Sequence, residues 1–393
     1  MNIVIIPFHD WRKIIKEGFR TRDAHFIEVL FQRKRHKKII INRPITMMEI
    51  FLKKKKRLID GNLLLKKNGF ALYEVEKNTF LIDFISINIF KQILQKYKWY
   101  INNYSNKKYL SFIQECLSFL EVEDYNLLNQ NVFAYKLTKK LKPEVQVFDA
   151  WDDFIKFKVY KSIKEEINIG YQTLAKNSSF WVTNARENIE SFKKRYYPKS
   201  IHLINNGVDL KRFVFNTNEK TPKDLNKIKK PIVGFGGKIT QLLDTALINK
   251  IIKDTPEVSF VFVGQILDKE IFNKINKRSN FYYLGDKHYD IYPNYVKNFD
   301  ICIVPYVTLD EEKSGANSIK VYEYLATGKK VVGTYGNGLE ELEEYVFLAR
   351  NASEFSEELQ SLENNKDKID LNHHSWENKV NDLFKLINDE ANN

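Results

Sequence analysis

The segment Val233–Lys238 combines three glycines with a lysine and begins in a run of apolar residues. Glycines let a backbone approach a phosphate closely, and the first turn of a following helix attracts anions. Gly236, Gly237 and Lys238 are therefore candidate phosphate-binding residues. Tight turns between a strand and a helix often need glycine as well, and the Lys-Ser/Thr ending of a P-loop is absent. A phosphate site and a structural turn both fit this segment.

A lysine and a glutamate three residues apart, Lys320 and Glu323, share one face of a predicted helix. This helix runs from Ser318 to Thr327, with Ser318 as the expected N-cap and Gly328 as the residue that closes it. A lysine in the first turn is favourable only near an anion, and a carboxylate is suited to accept two ribose hydroxyls. A surface ion pair explains the same spacing.

Three aspartates, Asp149, Asp152 and Asp153, follow a predicted strand directly. Carboxylates at the carboxyl end of a parallel strand face a ligand crevice, and crowding can raise the pKa of one of them towards neutrality. We predict Asp152 or Asp153 as a general base. The alternative is that these residues cap the next helix, and one can cap while its neighbour acts.

The elements that must position these groups alternate along the chain. Runs of apolar and β-branched residues predict strands at 3–6, 38–42, 145–148, 180–183, 201–204, 231–235, 258–264, 280–285, 301–305 and 330–334. Helical periodicity lies between many of them, at 23–33, 242–253 and 318–327, and again at 375–388. The stretch 80–120 reads as one or two aromatic-rich helices.

This alternation predicts an α/β fold in which parallel sheets are covered on both faces. A polar, proline-containing segment at 216–223 separates two such patterns. We therefore predict two Rossmann-like, doubly wound domains that face each other across a cleft, at 1–215 and 216–374, with a C-terminal helix and tail at 375–393. Ligands in such sheets bind at the carboxyl ends of the strands.

Further polar residues follow the first predicted strand. Asp10, Arg22, Asp23 and His25 are expected to line the same cleft, together with Asp149. His25 is a candidate catalytic or acceptor-contacting residue, and a structural histidine is the alternative.

Positive charge is concentrated at the start of the chain. The net charge is +13, and residues 1–120 hold 24 lysines and arginines against 10 aspartates and glutamates, which leaves the remainder at −1. Arg33–Lys38 and Lys53–Arg57 are the densest runs. Such asymmetry suggests nucleic acid or an anionic lipid surface as partner, with a solvated face as the alternative. Interleaved aromatics favour the membrane: Phe80, Phe84, Phe90, Tyr97, Trp99, Tyr100, Tyr104 and Tyr109.

Other sequence features point to the cytoplasm. Cys116 and Cys302 are too few for a disulfide framework. No apolar run has the roughly 18–20 residues that a membrane-spanning helix needs. The apolar opening, Met1–Pro7, is too short for a signal peptide and lacks a basic start.

Four stretches, taken together, resemble GT-B glycosyltransferases of the family-4-like clan. They are the lysine–glutamate segment Ser318–Val332, the segment Asn205–Asp209 followed by Phe213, the glycine segment Gly234–Asp244, and the stretch from Leu284 through Tyr289 and Pro293 to Tyr306. They cover roughly residues 180–335, and the match is specific to the fold and to nucleotide-sugar use. The N-terminal third resembles the clan only loosely, as expected for an acceptor-binding domain.

The resemblance implies a role for each matching residue. Glu323 binds the donor ribose, and Lys320 and Lys238 neutralise the diphosphate. The backbones of Gly236–Gly237 and Ser318–Ile319 contact phosphate. The segment Lys287, His288 and Tyr289 frames the nucleobase. Lysines and backbone dipoles then meet the charge of the leaving diphosphate, without a metal or any other cofactor.

One departure from the clan concerns the stereochemistry of transfer. Retaining members usually carry a second glutamate eight residues before Glu323, where this chain has Gly315. An inverting reaction is therefore slightly favoured, as in membrane-associated enzymes of exopolysaccharide or teichuronic-acid type. Such a reaction needs a base to deprotonate the acceptor hydroxyl, and Asp152 and Asp153 resemble the aspartates of the corresponding loop.

The leading hypothesis is a glycosyltransferase that takes a UDP-, GDP- or TDP-sugar and acts on a lipid-linked or cell-surface glycan acceptor. It is expected to lie in the cytoplasm, peripheral on the inner face of the membrane. A nucleotide-sugar epimerase or hydrolase of the same fold is the first alternative, and the charge asymmetry counts against it. A basic nucleic-acid-binding protein is the second, but it leaves the second half unexplained, so no nucleic-acid partner is expected.

Overall fold

The computed structural model describes residues 1–52, 56–214, 221–308, 317–336, 338–364 and 366–392. The chain divides into two compact units. The first unit comprises Met1–Ile204 and Val380–Asn393, and the second comprises Asn205–Lys379. The division falls at 204/205, whereas the sequence suggested 215/216. Part of the basic run Lys53–Arg57 and the departure at Gly315 lie outside the described residues.

The described residues of the first unit form a sheet of ten strands. They are β1 (Asn2–Ile6), β2 (Lys38–Ile41), β3 (Ile45–Thr46), β4 (Asn62–Lys67), β5 (Phe70–Glu76), β6 (Thr79–Ser86), β7 (Tyr125–Asn129), β8 (Gln146–Asp149), β9 (Phe180–Thr183) and β10 (Ile201–Leu203). The helices are α1 (Trp11–Glu17), α2 (Arg22–Phe31), α3 (Met47–Leu52), α4 (Ile89–Gln95), α5 (Lys98–Tyr104), α6 (Lys107–Phe119), α7 (Tyr135–Thr138), α8 (Lys164–Asn177) and α9 (Arg186–Tyr196).

The order of the strands makes β1 the centre of this sheet. The path runs β10-β9-β8-β7-β1-β2-β6-β5-β4, parallel from β10 to β6 and antiparallel in β5 and β4, with the short β3 beside β6. Val4, Ile5 and Ile6 of β1 are fully buried, as expected for a strand covered on both faces. The chain leaves β1 on one side towards β2 and returns on the other at β7. Ligands in such sheets bind where the winding reverses, outside the carboxyl ends of the strands.

The prediction of helices over the whole stretch 80–120 is wrong at its beginning. Residues Thr79–Ser86 form β6, and the hairpin strands β4 and β5 before it were not predicted. Thr79–Phe84 are all buried, so the strand shows no polar alternation, and an unbroken apolar run does not distinguish a buried strand from a buried helix. Helices α4, α5 and α6 occupy the rest of the stretch.

The aromatic residues of this stretch lie mainly in the core. Six of the eight that suggested a membrane-facing surface are buried, and the other two, Tyr97 and Phe90, are half-buried and exposed respectively. Phe70 packs between the rings of Tyr109 and Phe112, with centroids 5.6 and 5.4 Å away. Most of these side chains therefore pack against the sheet rather than face a membrane.

In the part of the second unit that the structure describes, six parallel strands form the sheet. They are β11 (Ile232–Gly236), β12 (Ser259–Val263), β13 (Phe281–Tyr283), β14 (Ile301–Val304), β15 (Lys330–Thr334) and β16 (Phe347–Ala349). The helices are α10 (Leu210–Phe213), α11 (Thr245–Asp254), α12 (Lys269–Lys274), α13 (Tyr292–Asn298), α14 (Ile319–Ala326), α15 (Ala352–Gln360) and α16 (Trp376–Ala391). Helix α16 begins in the second unit and ends in the first.

The strand order of the second unit is β13-β12-β11-β14-β15-β16, which is the Rossmann order with its switch point between β11 and β14. The predicted fold class, α/β with two parallel-sheet domains, is confirmed. Among the described residues, no helix is long and apolar enough to cross a membrane.

Gly234, on β11, provides a test of how tightly the second unit is packed. An ideal Cβ there would lie 2.0 Å from the ring of Phe299, which is fully buried. We expect Gly234→Ala to lower the free energy of unfolding by about 3 kcal/mol, the upper end of overpacking costs. The measurement is urea unfolding. Gly285→Ala is the control, since its new Cβ meets no atom within 4 Å. Its left-handed φ should cost about 1 kcal/mol, and equal losses in the two variants would contradict the packing argument.

Candidate functional site

The carboxyl end of β11 is held by two tyrosines. The Gly236 N–H donates to the Tyr324 hydroxyl at 2.7 Å, and this hydroxyl donates to the Gly236 carbonyl at 3.1 Å. An ideal Cβ at Gly236 would lie 1.9 Å from the hydroxyl oxygen of Tyr292. Packing alone therefore requires glycine at this position. Tyr324 belongs to α14, so its hydroxyl also fixes that helix to the end of the strand.

The next glycine, Gly237, brings two loops into backbone contact. Its N–H donates to the Val263 carbonyl at 2.8 Å. A Cβ on Gly264, which follows β12, would lie 1.9 Å from the Gly237 carbonyl oxygen. Close packing therefore accounts for the glycines at 237 and 264 as parts of a structural turn. The other function suggested for this segment, phosphate binding, concerns the surface above Gly237.

Lys320, in the first turn of α14, covers Gly237. An ideal Cβ on Gly237 would lie 2.7 and 2.8 Å from the Cε and Nζ atoms of Lys320. The ammonium donates to the Tyr306 hydroxyl and lies 4.9 and 4.8 Å from the ring centroids of Phe235 and Tyr306. A cation at a helix N-terminus opposes the helix dipole, and the aromatic rings offset part of that cost. Gly237, the start of α14 and Lys320 together form a positive site suited to an anion.

The helix near this site is not the one that the sequence suggested. Helix α11 begins at Thr245, capped by the Asp244 carboxylate, which accepts from the Leu247 N–H at 2.9 Å. The glycine segment therefore does not lead directly into a helix. Isolated bridges at Ile239 and Leu243 connect the residues before α11 to neighbouring loops, with a turn between the two bridges. Lys238 lies there, half-buried.

The residues that begin α14 are positioned from the segment Asn205–Asp209. The Asn206 N–H donates to Asn317 Oδ1 at 2.8 Å, and Asn317 Nδ2 donates to the Tyr322 hydroxyl at 2.7 Å. Ser318 occupies the N-cap position with no capping bond from its side chain, and Ile319 follows as the first helical residue. Asn206 and Asn317 were not predicted as site residues, because their pairing spans 111 residues.

Glu323 lies one helical turn beyond Lys320 and is 4% exposed. The hydroxyl of Tyr289 donates to its Oε1 at 2.6 Å. Burial and the charge of Glu323 hold the pKa of Tyr289 well above its usual range, so this hydroxyl stays a donor at all physiological pH values. The Arg212 guanidinium lies 5.2 Å from the Tyr289 ring centroid. Tyr289 thus orients the carboxylate, while His288 beside it is exposed, with Nδ1 3.3 Å from Asp290.

In the first unit, Asp149 at the end of β8 is engaged inside the protein. Arg22 Nε lies 3.2 and 3.0 Å from its two oxygens, and Gln130 Nε2 donates to one of them at 2.9 Å. All three side chains are buried. Removing one partner of such a pair typically costs about 3–5 kcal/mol. The pair therefore fixes α2 against the ends of β7 and β8.

The two predicted bases, Asp152 and Asp153, differ in their surroundings. Asp153 caps the short turn Phe154–Lys156 and pairs with Arg195, whose Nη2 lies 2.6 Å from Oδ2. Asp152 is half-buried and accepts from the Asp153 N–H at 2.9 Å. Burial raises the pKa of Asp152 to about 7. One aspartate caps while its neighbour has the proton affinity of a base at neutral pH.

The remaining candidates of the first unit are buried. Asp10 accepts from Asn42 Nδ2 at 3.2 Å and lies 3.5 Å from Arg12. His25 is 1% exposed, with Nδ1 3.8 Å from Glu28.

Asp23 binds a histidine that was not predicted. Two hydrogen-bond donors of His9 lie within 3.0 Å of its carboxylate. His9 and Asp23 are 14 residues apart and lie in different elements, and no local sequence motif predicts their contact.

The pKa of Asp152 makes stability depend on pH. The folded chain holds this proton more tightly than the unfolded chain, where the pKa is near 3.8. The stabilising contribution is therefore present below that value and is lost as the pH rises through about 7. We compare the free energy of unfolding of Asp152→Asn with that of the parent chain at each pH. This difference should shift in favour of the variant by about 2–4 kcal/mol between pH 4 and pH 8. Urea unfolding at both pH values measures this, with Asp124→Asn, at an exposed residue, as control. A difference that does not change with pH would contradict it.

Comparisons with known proteins identify a similar domain, a similar sequence and similar folds. Residues 233–365 match the family model described as "Glycosyl transferases group 1". A protein of Bacillus subtilis (strain 168), named as a teichuronic acid biosynthesis glycosyltransferase, is 28% identical over 138 residues. That alignment covers 35% of this chain and only 34% of the relative.

Solved structures match the whole chain at low identity, which is evidence for the fold. Sucrose-phosphate synthase of Thermosynechococcus elongatus is 13% identical at a TM-score of 0.64, covering 99% of this chain and 98% of that one. The catalytic domain of starch synthase IV of Arabidopsis thaliana, bound to ADP and acarbose, is 11% identical at 0.65, covering 100% of both. A trehalose-phosphate synthase of Burkholderia xenovorans, in complex with glucose-6-phosphate, is 10% identical at 0.65, again covering 100% of both. Residues 233–365 thus match a glycosyltransferase domain, and the solved structures show a shared fold over the whole chain.

Proposed function

We propose that this chain transfers a sugar from a UDP-, GDP- or TDP-sugar to a hydroxyl group of a lipid-linked or cell-surface glycan. The observation that carries the proposal is the convergence of Lys320, the start of α14 and Gly237 at the switch point of a Rossmann-type sheet. Glu323 lies one turn further along the same helix. A diphosphate on Lys320 therefore places the attached ribose towards Glu323.

The transfer step places new negative charge on the leaving diphosphate. Preorganised cations and backbone N–H groups stabilise such charge best when they are fixed before the reaction. Lys320 is held by Tyr306 and Phe235, and α14 is held by Tyr324, so both the charge and the helix are preorganised. These groups act without a metal in our proposal, with Lys238 as a second cation.

The choice of a transferase over an epimerase or hydrolase rests on the first unit. A reaction that needs no large acceptor has no use for a concentration of +14 within residues 1–120. The relative named for teichuronic acid biosynthesis supports a polymeric or lipid-linked acceptor. Inversion remains our proposal because Gly315 stands where retaining enzymes of the clan carry a carboxylate. Of the two predicted aspartates, Asp152 retains the properties of a base.

A membrane surface is the proposed location of the acceptor, on the cytoplasmic side. Most of the aromatic residues that suggested a membrane contact are buried, so they do not support it. Helix α4 offers a different surface. Phe90, Ile93 and Leu94 are three and four residues apart on one face, and Phe90 and Leu94 are 76% and 82% exposed. Lys91 and Lys96 are exposed beside them. Exposed apolar residues flanked by lysines suit an anionic bilayer surface.

Donor binding is tested through Glu323. A ligand that binds only the folded state raises the unfolding temperature, so one of UDP, GDP or TDP should stabilise the parent chain. Glu323→Gln keeps an acceptor for Tyr289 but loses charge-assisted bonds to ribose, so we expect about 10- to 100-fold weaker nucleotide binding. Thermal-shift titration measures this.

The control is Glu257→Gln, at an exposed residue just before β12. It lies at the amino-terminal end of that strand, whereas the site lies at the carboxyl ends. A chain that no nucleoside diphosphate stabilises, or equal affinities in the two variants, would contradict the donor site.

Membrane docking is tested through α4. Phe90→Ser combined with Leu94→Ser removes two exposed apolar side chains, and we expect at least about 10-fold weaker binding to phosphatidylglycerol vesicles, since each buried side chain contributes about 1.5–3 kcal/mol. Vesicle sedimentation at two salt concentrations measures the affinity. Phe119→Ser, at a residue of α6 that is 53% exposed, is the control. Loss of binding in the control alone would place the contact elsewhere.

A further inference from the structure

Arg43 lies at the carboxyl end of the first sheet, two residues after β2. Its Nη2 donates to Glu49 Oε1 at 2.7 Å, and its guanidinium lies 4.7 Å from the ring centroid of Tyr100. The Tyr100 hydroxyl donates to the other oxygen of Glu49 at 3.2 Å. The side chain of Glu49 is 3% exposed, whereas that of Arg43 is 22% exposed. A buried carboxylate therefore holds a cation that solvent reaches.

The guanidinium of Arg43 has capacity for a ligand. It carries five N–H donors, and Glu49 is the one hydrogen-bond acceptor that it contacts among the described residues. Its Nε is buried and has no hydrogen-bond partner in that part of the chain. Buried donors are almost always paired, so a donor that the chain leaves unpaired suggests an acceptor from outside. Guanidinium groups suit carboxylate and phosphate best, because two parallel N–H groups match two oxygens.

Two tyrosines beside Arg43 add hydroxyl donors. Tyr97 and Tyr160 are half-buried, and their rings meet edge to face with centroids 4.9 Å apart. Burial raises the pKa of both tyrosines, and the positive charge of Arg43 acts against that rise. Both hydroxyls therefore keep their protons at neutral pH. Because the interaction between charges weakens with distance, these effects indicate that Arg43 lies near both hydroxyls.

The proposed base lies beside the same tyrosines. Burial is the main cause of the raised pKa of Tyr160, and the charge of Asp152 raises it further, so Asp152 is close to Tyr160. Tyr97 follows α4 by two residues, after a left-handed turn at Lys96 with a φ of 49°. Arg43 and the two tyrosines are thus near both Asp152 and the end of the helix proposed to contact the membrane.

We propose that Arg43, Tyr97 and Tyr160 form a subsite of the first unit that binds an oxyanion of the acceptor, either a phosphate or a carboxylate group. The assignment to the acceptor rests on the proposed function. Arg43 supplies charge and paired N–H groups, and each tyrosine supplies one O–H donor. Binding the acceptor through a group remote from its reacting hydroxyl reduces the entropy cost of the transfer step. The substrate class is therefore an acidic acceptor, either a glycan on a lipid diphosphate or a glycan with an acidic sugar.

Anion binding is measured by thermal-shift titration of the full chain with farnesyl diphosphate, glucuronic acid and glucose. UDP, GDP and TDP are present throughout, so that the probes do not occupy the donor site. We expect at least one anionic probe to stabilise the parent chain, and glucose to have no effect. Stabilisation by farnesyl diphosphate identifies a lipid diphosphate as the ligand, whereas stabilisation by glucuronic acid identifies an acidic sugar.

Variants of the first unit locate the site. Tyr97→Phe combined with Tyr160→Phe keeps both rings and removes the two hydroxyls, so we expect binding of the anion to weaken by about 10-fold or more. Arg43→Lys keeps a positive charge for Glu49 but loses the planar fork, and a loss of about 10-fold is expected again. Tyr197→Phe, at a residue that is 79% exposed, is the control and should bind the anion as the parent does.

Two results would overturn the subsite and leave the proposed function intact. One is a parent chain that binds a nucleoside diphosphate but that neither anionic probe stabilises. The other is an anion affinity that stays at the level of the control in both variants. A purely structural Arg43 gives this second result, because Arg43→Lys then lowers the unfolding temperature of the free chain without changing the anion affinity.

Failure of the proposed function gives a different pattern. A chain that no nucleoside diphosphate stabilises, but whose anion binding is lost in the variants, would contradict the donor site and retain the oxyanion subsite.

Discussion

The candidate donor site depends on the contact between two loop backbones at the carboxyl end of β11. Gly264 leaves no room for a side chain above the Gly237 carbonyl, and the Gly237 N–H is bonded to Val263. The loops after β11 and β12 therefore form one surface. The Tyr324 hydroxyl, bonded to both backbone groups of Gly236, then attaches α14 to that surface. Because Lys320 and Glu323 belong to the same helix, this attachment positions both.

In the first unit, buried ion pairs attach neighbouring elements to one another, as close packing at glycines does in the second unit. Arg22 with Asp149 and Arg12 with Asp83 are buried ion pairs, the second with a contact of 2.6 Å. Such pairs add little net stability compared with apolar packing, but breaking one is costly. Their effect here is geometric, because each joins a strand to a helix, β8 to α2 and β6 to α1. The contact of Asp23 with His9 follows the same pattern with a partly exposed partner.

Much of the fold was predictable because parallel strands carry unbroken apolar runs between helical segments. The runs at β1, β2 and β11 were found, and α14 was placed within one residue at each end. The hairpin β4 and β5 was missed, and β4 is largely exposed although it holds three consecutive leucines. Strand β6 was taken for a helix because it is buried over most of its length.

The sequence by itself determined the fold class and the donor-side candidates, because strand runs, glycine turns and a lysine three residues before a glutamate are local patterns. Only the tertiary structure decided which groups act together. The role of an ionisable side chain depends on its burial and on its partners, and these come from other elements. Arg195 reaches Asp153 across 42 residues, and Asp23 reaches His9 from α2, the second helix after it. The two members of each pair lie in different elements, and they meet only when the sheet and its helices have folded.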